Sequence, residues 1–237
     1  YKICLLVLLL FTTAFVVNAQ VATYYTFSQS NGTYTPITGG TVLITATTVG
    51  TNSVGSIDSG SFPVSIPFSF NFNGTNYTSC FAHANGYITF GATPSAGGTA
   101  TPISTTAVND GVIAAMAKDI WGLFSSSGNR VSGSPTLTGV TNFTGVVVGK
   151  QIGGTGIPAG TTIIGFDAGA GTITMSANAS STGTAGWMDW PIGEIRYEVL
   201  GTAPNRTLVI QYSNMADFAT SGVEHNTINF QIRLSEG

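Results

Sequence analysis

Charged side chains are scarce in this sequence. Only 7% of the 237 residues are Asp, Glu, Lys or Arg, against about 25% in a typical soluble domain. The sequence has seven Lys and Arg and ten Asp and Glu, which gives a formal net charge of −3 at pH 7. Nucleic-acid binding requires a basic patch, so we predict no nucleic-acid partner. Thr, Ser, Asn and Gly supply most of the polar surface, and this composition favours strands and turns over helices.

Cysteine and histidine are also rare. Cys4 lies in the N-terminal apolar run, which leaves Cys80 without a second cysteine for an internal disulfide. We predict that Cys80 is a small buried hydrophobe. His83 is expected near a strand end with one backbone hydrogen bond, and His225 in a polar loop. No Gly-x-Ser-x-Gly or His-Glu-x-x-His motif is present, so we predict that the chain is not an enzyme.

Long apolar runs are missing except at the N-terminus. Lys2 precedes the apolar run Ile3 to Leu10, and Val17-Asn18-Ala19 places small residues at a cleavage position. These features predict a signal peptide over residues 1–19 and a secreted or cell-surface protein. The alternative is a membrane anchor, but spanning a bilayer takes about 20 apolar residues and Thr12-Thr13 interrupts this run. We predict no membrane span in the mature chain.

A period of two in the apolar residues dominates the chain after the signal peptide. In Val64 to Phe72 the apolar side chains occupy the even positions, as expected for a strand with one buried face. Pro67, on the polar side, indicates an edge strand or a bulge. Asn73-Gly74 and Asn85-Gly86 are suited to tight hairpin turns, because Asn and Gly tolerate positive φ.

Other segments also have the character of strands, and no convincing helix of ten residues is found. The best short helix candidate, Ala114 to Lys118, lies between glycines. The sequence therefore predicts an all-β fold, an antiparallel, jelly-roll-like β-sandwich. The further predicted strands include Tyr24–Ser28, Tyr34–Pro36, Val42–Thr45, Tyr87–Gly91, Gly193–Val199, Thr207–Tyr212 and Thr227–Leu234.

The composition of the sequence changes between residues 131 and 185. Glycine and threonine alternate with short apolar segments there, and Lys150 and Asp167 are the ionisable side chains. We predict an inserted β-module at 131–185 and a β-sandwich domain formed by 20–130 and 186–237. We expect the chain to continue beyond Gly237, so that this domain is truncated at its C-terminus.

Several motifs in this order resemble a known family. Ala84-Asn85-Gly86-Tyr87-Ile88-Thr89-Phe90-Gly91 resembles the core of nidogen-like extracellular domains. With Tyr25 to Ser30, Gly193 to Val199 and Thr202 to Arg206, it is more similar still to the N-terminal β-sandwich of large secreted or surface proteins of Bacteroidetes. The resemblance implies an exported protein whose relatives use type IX secretion, and it supplies no catalytic residues.

Paired carboxylates and a metal site are the remaining chemical possibilities. Glu194 and Glu198 lie four residues apart on a predicted strand, about 13 Å, which exceeds the ~5–9.5 Å spacing of glycosidases. We interpret them as a solvated face with Arg196 between them. Extracellular β-modules often bind calcium through Asp side chains. The candidates here are Asp58, Asp110 and Asp119, but they form no Asp-x-Asp-x-Asp motif.

The aromatic cluster Trp187-Met188-Asp189-Trp190 is the best candidate for ligand binding. On a strand Trp187 and Trp190 face opposite sides, so at most one belongs to the core. An exposed indole beside Asp189 suits contact with a glycan or a protein ligand. The predicted function is a non-catalytic adhesion or recognition module. The alternatives are an accessory domain of a larger secreted enzyme and a structural spacer or filament subunit.

Overall fold

A computed structural model describes residues 25–51, 53–91, 109–116, 118–218 and 227–237. The predicted signal peptide and His225 lie outside these residues. Residues 25–33 belong to one compact unit and residues 34–237 to another, and residues 25–33 contain no strand, so the strand predicted at Tyr24–Ser28 is wrong for its described residues. In the described part of the second unit the regular elements are strands and a short 3₁₀ turn at Val54–Ser56, which confirms the all-β prediction.

The strands in chain order are β1 (Thr41–Thr45), β2 (Ser61–Phe72), β3 (Thr75–His83), β4 (Tyr87–Gly91), β5 (Asn109–Ala114), β6 (Ile120–Trp121), β7 (Leu123–Arg130), β8 (Thr136–Leu137), β9 (Gly153–Gly154), β10 (Ile163–Asp167), β11 (Thr172–Met175), β12 (Gly183–Pro191), β13 (Glu194–Leu200), β14 (Thr207–Asp217) and β15 (Ile228–Ser235). Every pairing among them is antiparallel.

Two sheets form the sandwich. One has the order β2-β3-β4-β5, and the other has the order β1-β13-β14-β15 with β6 also paired to β14. Both sheets contribute alternate apolar residues to one buried cluster, as the period of two predicts. The central contributors from β2 and β14 are Val64, Ile66, Phe68, Leu208, Ile210 and Tyr212.

The local predictions around β2 are confirmed. β2 is an edge strand, and its register against β3 shifts between Ser65 and Phe70, on either side of Pro67. Asn73 and Gly74 have φ of 50° and 81°, the positive values that a type I′ turn requires. Asn85-Gly86 lies in the turn between β3 and β4.

The prediction of a strand at Tyr34–Pro36 is wrong. These residues belong to a segment, Tyr34–Gly40, that forms no strand. Its backbone groups are hydrogen-bonded by side chains of the sheet instead, and Pro36 has no N–H to donate to a ladder. The strand predicted at Val42–Thr45 is present as β1.

Residues 123–192 build a second group of sheets, with orders β7-β12-β9 and β10-β11-β8. They enclose their own buried cluster. Eight of its members lie in the predicted insert, but Phe124, Met188, Trp190 and Ile192 come from outside residues 131–185. The domain boundaries remain a prediction. The members within the insert are Leu137, Val140, Val146, Ile152, Ile163, Ile173, Met175 and Ala179.

Candidate functional site

The two tryptophans of β12 face opposite sides of their sheet, as predicted. Trp190 is fully buried, and its ring lies 5.4 Å from that of Phe124. Its Nε1 donates a hydrogen bond of 2.8 Å to the carbonyl oxygen of Thr144. Because the indole is enclosed and its polar atom is satisfied, Trp190 has no ring face to offer a ligand.

Trp187 is partly exposed and belongs to none of the buried clusters of the described residues. It pairs with Ser127 of β7, and Asp189 pairs with Ser125. The buried Ser125 hydroxyl donates a hydrogen bond to Oδ1 of Asp189. We call these four residues, Trp187, Asp189, Ser125 and Ser127, the Trp187 face.

The Trp187 face combines the groups that bind sugars. An indole offers a flat apolar surface for the C–H face of a ring, and a carboxylate and hydroxyls exchange hydrogen bonds with sugar hydroxyls. Anchoring by Ser125 fixes the Asp189 carboxylate, which lowers the entropy that binding must overcome. The two serines were missed from the sequence, because only strand register places β7 beside β12.

The three aspartates proposed for calcium are not brought together. Asp58 is buried, Asp110 lies on β5, and Asp119 precedes β6. Burial and the nearby Asp217 carboxylate raise the pKa of Asp119, while Asp217 forms an ion pair with Lys118. Across the part of the chain that the structure describes, no three His, Cys, Asp or Glu side chains are placed to hold a metal ion.

His83 has the structural role predicted for it. Its buried ring stacks on Tyr87, with 4.3 Å between ring centroids, and Nδ1 accepts a 3.4 Å hydrogen bond from the backbone N–H of Asn85. Its carbonyl oxygen accepts a hydrogen bond from the Tyr212 hydroxyl at 2.8 Å. The hydrogen bond from Tyr212 of β14 joins the two sheets of the sandwich.

Cys80 is buried in the sandwich core, as predicted. Burial raises the pKa of its thiol to about 12. A thiol that stays protonated is a poor nucleophile.

Glu194, Arg196 and Glu198 alternate along β13, as the sequence predicts. Arg196 lies between the two carboxylates and forms an ion pair with Glu194. The hydrogen bond to Glu194, and then the charges of both glutamates, raise the pKa of Arg196. The arrangement is that of a surface charge row.

A second surface lies on the outer face of β13, β14 and β15, where the segment Tyr34–Gly40, here called the strap, crosses the strands. Gln231 of β15 donates to the carbonyl oxygen of Thr35 at 2.9 Å. Gln211 of β14 accepts from the Ile37 N–H at 2.7 Å and donates to the Ile37 carbonyl oxygen at 3.2 Å.

On β13 the strap is held by Arg196, whose Nη1 donates to the carbonyl oxygens of Thr38 and Gly39 at 2.7 and 3.2 Å. The strap then turns into β1 at Gly40, where φ is +78° and a Cβ would lie 2.1 Å from the Tyr197 carbonyl oxygen. Glycine is therefore required at this position.

Beside the strap lies a groove of about 250 Å³. It could not be predicted from the sequence, because the strap residues and the strand residues that meet there are more than 150 positions apart. Its lining residues are Thr35, Pro36, Ile37, Thr38, Glu198, Leu200 and Arg233.

The family model described as NIDO related matches residues 24–141 and 164–237. The chain belongs to the nidogen-related family. The unmatched residues 142–163 lie within the insert predicted from composition. Nidogen-related domains are typically extracellular, and membership favours a non-catalytic extracellular module.

No curated protein matches this nidogen-related domain, and no solved structure does. Among the residues that the structure describes, no helix is both long enough and apolar enough to cross a membrane.

Proposed function

We propose that this nidogen-related domain is a non-catalytic adhesion or recognition module of a secreted or cell-surface bacterial protein, and that it binds glycans through the Trp187 face. The observation that carries the proposal is that the two tryptophans of β12 differ in exposure. Trp190 is enclosed in a core, whereas Trp187 is partly exposed beside a carboxylate held by Ser125. The resemblance of its motifs to those of Bacteroidetes surface proteins supports the bacterial, exported context of this proposal.

A glycan array probed with the labelled chain tests this proposal, followed by titration calorimetry on any sugar that binds. Trp187→Ala is expected to weaken binding at least tenfold, because stacking on the indole is lost. Phe166→Ala is the matched control, since Phe166 is an exposed aromatic on a different sheet. Binding that is unchanged in Trp187→Ala, or absent from every glycan tested, would overturn the assignment of this face.

The absence of catalysis is part of the proposal and has a separate test. The isolated chain is incubated with chromogenic glycosides, esters and peptides. Turnover that disappears in Asp189→Asn or Glu194→Gln, but persists in Asp167→Asn on the insert, would contradict a non-catalytic module.

A structural spacer is the second candidate function. The low share of charged residues, 7%, and the 31 glycines are compatible with a stalk that presents few recognition groups. Sequencing the reading frame past Gly237 separates an accessory domain from the other two candidates, and glycan binding on the array separates an adhesin from a spacer. A catalytic domain there would make this chain an accessory domain, and an array of repeats would favour an adhesin or a spacer.

A further inference from the structure

The groove beside the strap is bordered by two opposite charges that do not neutralise each other. Glu198 of β13 and Arg233 of β15 are both register partners of Val209 on β14, so their Cα atoms lie about 10 Å apart. No ion pair joins these two described side chains. Arg233 is exposed and Glu198 partly exposed, so both are accessible to a ligand.

Between these charges the surface is largely apolar. Pro36 and Ile37 of the strap form one wall and Leu200 of β13 contributes to the other side. Val209, between Glu198 and Arg233 in the row, is fully buried. A ligand in the groove therefore meets an acid at one end, a base at the other and aliphatic side chains between them.

We propose that this groove binds a short extended peptide segment that carries a basic and an acidic residue two positions apart. Residues i and i+2 of an extended chain project to the same side about 7 Å apart. Their side chains then reach Glu198 and Arg233, while small apolar groups lie against Pro36 and Leu200. The proposal concerns a different sheet from the Trp187 face and does not depend on glycan binding there.

Charge complementarity favours a peptide over a neutral sugar in this groove. Among the residues that the structure describes, no aromatic side chain lines it, so these residues give a sugar ring no surface to stack on. A neutral ligand can form hydrogen bonds to Glu198 and Arg233 but balances neither charge, whereas hydrogen bonds between oppositely charged partners are stronger. A dipolar peptide compensates both charges at once and gains specificity from them.

The test uses fluorescence anisotropy on the full chain at low salt with three capped, labelled pentapeptides. Their central residues are Lys-Val-Asp, Lys-Val-Lys and Asp-Val-Asp. The wild-type chain is expected to bind the Lys-Val-Asp peptide at least tenfold more tightly than the other two. Equal affinity for all three peptides, or no binding of Lys-Val-Asp, would overturn the proposal.

Reversal of single charges provides the decisive comparison. Glu198→Arg places two cations in the groove, so the preference is expected to move to the Asp-Val-Asp peptide. Arg233→Glu is expected to move it to Lys-Val-Lys. Asp167→Arg, an exposed site on the insert, controls for net charge and should keep the wild-type preference. If it shifts the preference as strongly as Glu198→Arg, or if Glu198→Arg shifts nothing, the site assignment is wrong.

Two controls distinguish a failure of the groove proposal from misfolding of a variant and from binding at the Trp187 face. Circular dichroism melts verify that each variant is folded, and Glu198→Gln and Arg233→Gln replace any variant that is not, with loss of Lys-Val-Asp binding as the expected result. Trp187→Ala should leave peptide binding unchanged. If that variant abolishes it, the peptide binds the Trp187 face and the groove proposal fails.

Discussion

At the scale of single residues, Trp187 and Trp190 are chemically identical and have opposite surroundings. Trp190→Ala is expected to lower the free energy of unfolding by about 3–5 kcal/mol, since it leaves a large cavity in a packed core and removes the hydrogen bond to Thr144. Trp187→Ala is expected to cost less than about 1 kcal/mol, as is usual for surface positions. Urea denaturation of both variants measures the difference.

The conservative variant Trp190→Phe serves as a control for ring packing and should lose less than Trp190→Ala. Equal losses in Trp187→Ala and Trp190→Ala would show that the two rings are buried to the same degree, and this would also remove the basis for glycan binding at Trp187.

At the scale of elements, the strap is held to its sheet chiefly by side chains. Gln211→Met keeps the length of the side chain but leaves the N–H and carbonyl oxygen of the buried Ile37 without these partners. A buried polar group that loses its partner costs about 1–3 kcal/mol. We expect a loss of this size in chemical denaturation, together with faster hydrogen exchange at the Ile37 amide.

Gln231→Met is the control for Gln211→Met, because Gln231 donates one exposed hydrogen bond to the strap, at the carbonyl oxygen of Thr35. It should have a smaller effect than Gln211→Met. Unaltered exchange at the Ile37 amide in Gln211→Met would mean that packing, and not the glutamine, holds the strap in place.

The end of β15 is joined to the start of β14 by a two-pronged ion pair. Arg206 Nε and Nη2 donate to the two carboxylate oxygens of Glu236 at 2.7 and 2.6 Å. These hydrogen bonds lower the pKa of Glu236 below its ordinary value of 4.5. The folded-state pKa is the lower one, so the contribution to stability is present above pH 4.5 and disappears as the pH falls through the folded value.

Glu236→Gln is therefore expected to lower the melting temperature relative to the wild type above pH 4.5. At acid pH, where the wild type has also lost the ion pair, the two melting temperatures should converge. Melting curves of the wild type and the variant across this range measure the effect, with Glu198→Gln as a control for charge. A constant difference between wild type and Glu236→Gln at every pH would argue against the ion pair as its cause.

At the scale of the whole molecule, the question is whether the insert folds alone. Phe124 of β7, Met188 and Trp190 of β12, and Ile192, which follows β12, complete its buried cluster from outside the insert. We therefore expect a fragment of residues 131–185 to be unfolded and one of residues 123–192 to fold. Near-ultraviolet circular dichroism and amide proton dispersion distinguish the two. A cooperative melt of the 131–185 fragment would contradict this expectation.

Local patterns explain the part of the fold that could be predicted. The alternation in β2, the type I′ turn at Asn73-Gly74 and the irregularity at Pro67 depend on residues close together in the chain, where side-chain direction and allowed φ decide the structure. The burial of Cys80 was predictable because a small apolar side chain favours the core. His83 lies three positions further along β3, on the opposite face of the alternation, and its burial does not follow from the local pattern.

The candidate sites were only partly predictable. The pattern placed Trp187 and Trp190 on opposite faces of β12 but could not say which face is buried, because the choice depends on the insert that packs against Trp190. Ser125 joined Asp189 only through strand register, and the strap was mistaken for a strand at Tyr34–Pro36. Each of these outcomes rests on contacts distant in the chain.

By itself the sequence determined the all-β class, the direction of side chains along each strand and the positions of tight turns, since these follow from backbone sterics and from the period of apolar residues. Tertiary structure alone decided which outward faces are covered. Val209 and Gln211 point away from the sandwich core, yet they are buried. The strap that hydrogen-bonds Gln211 lies 174 positions away at Ile37, and no local pattern specifies a partner so distant in the chain.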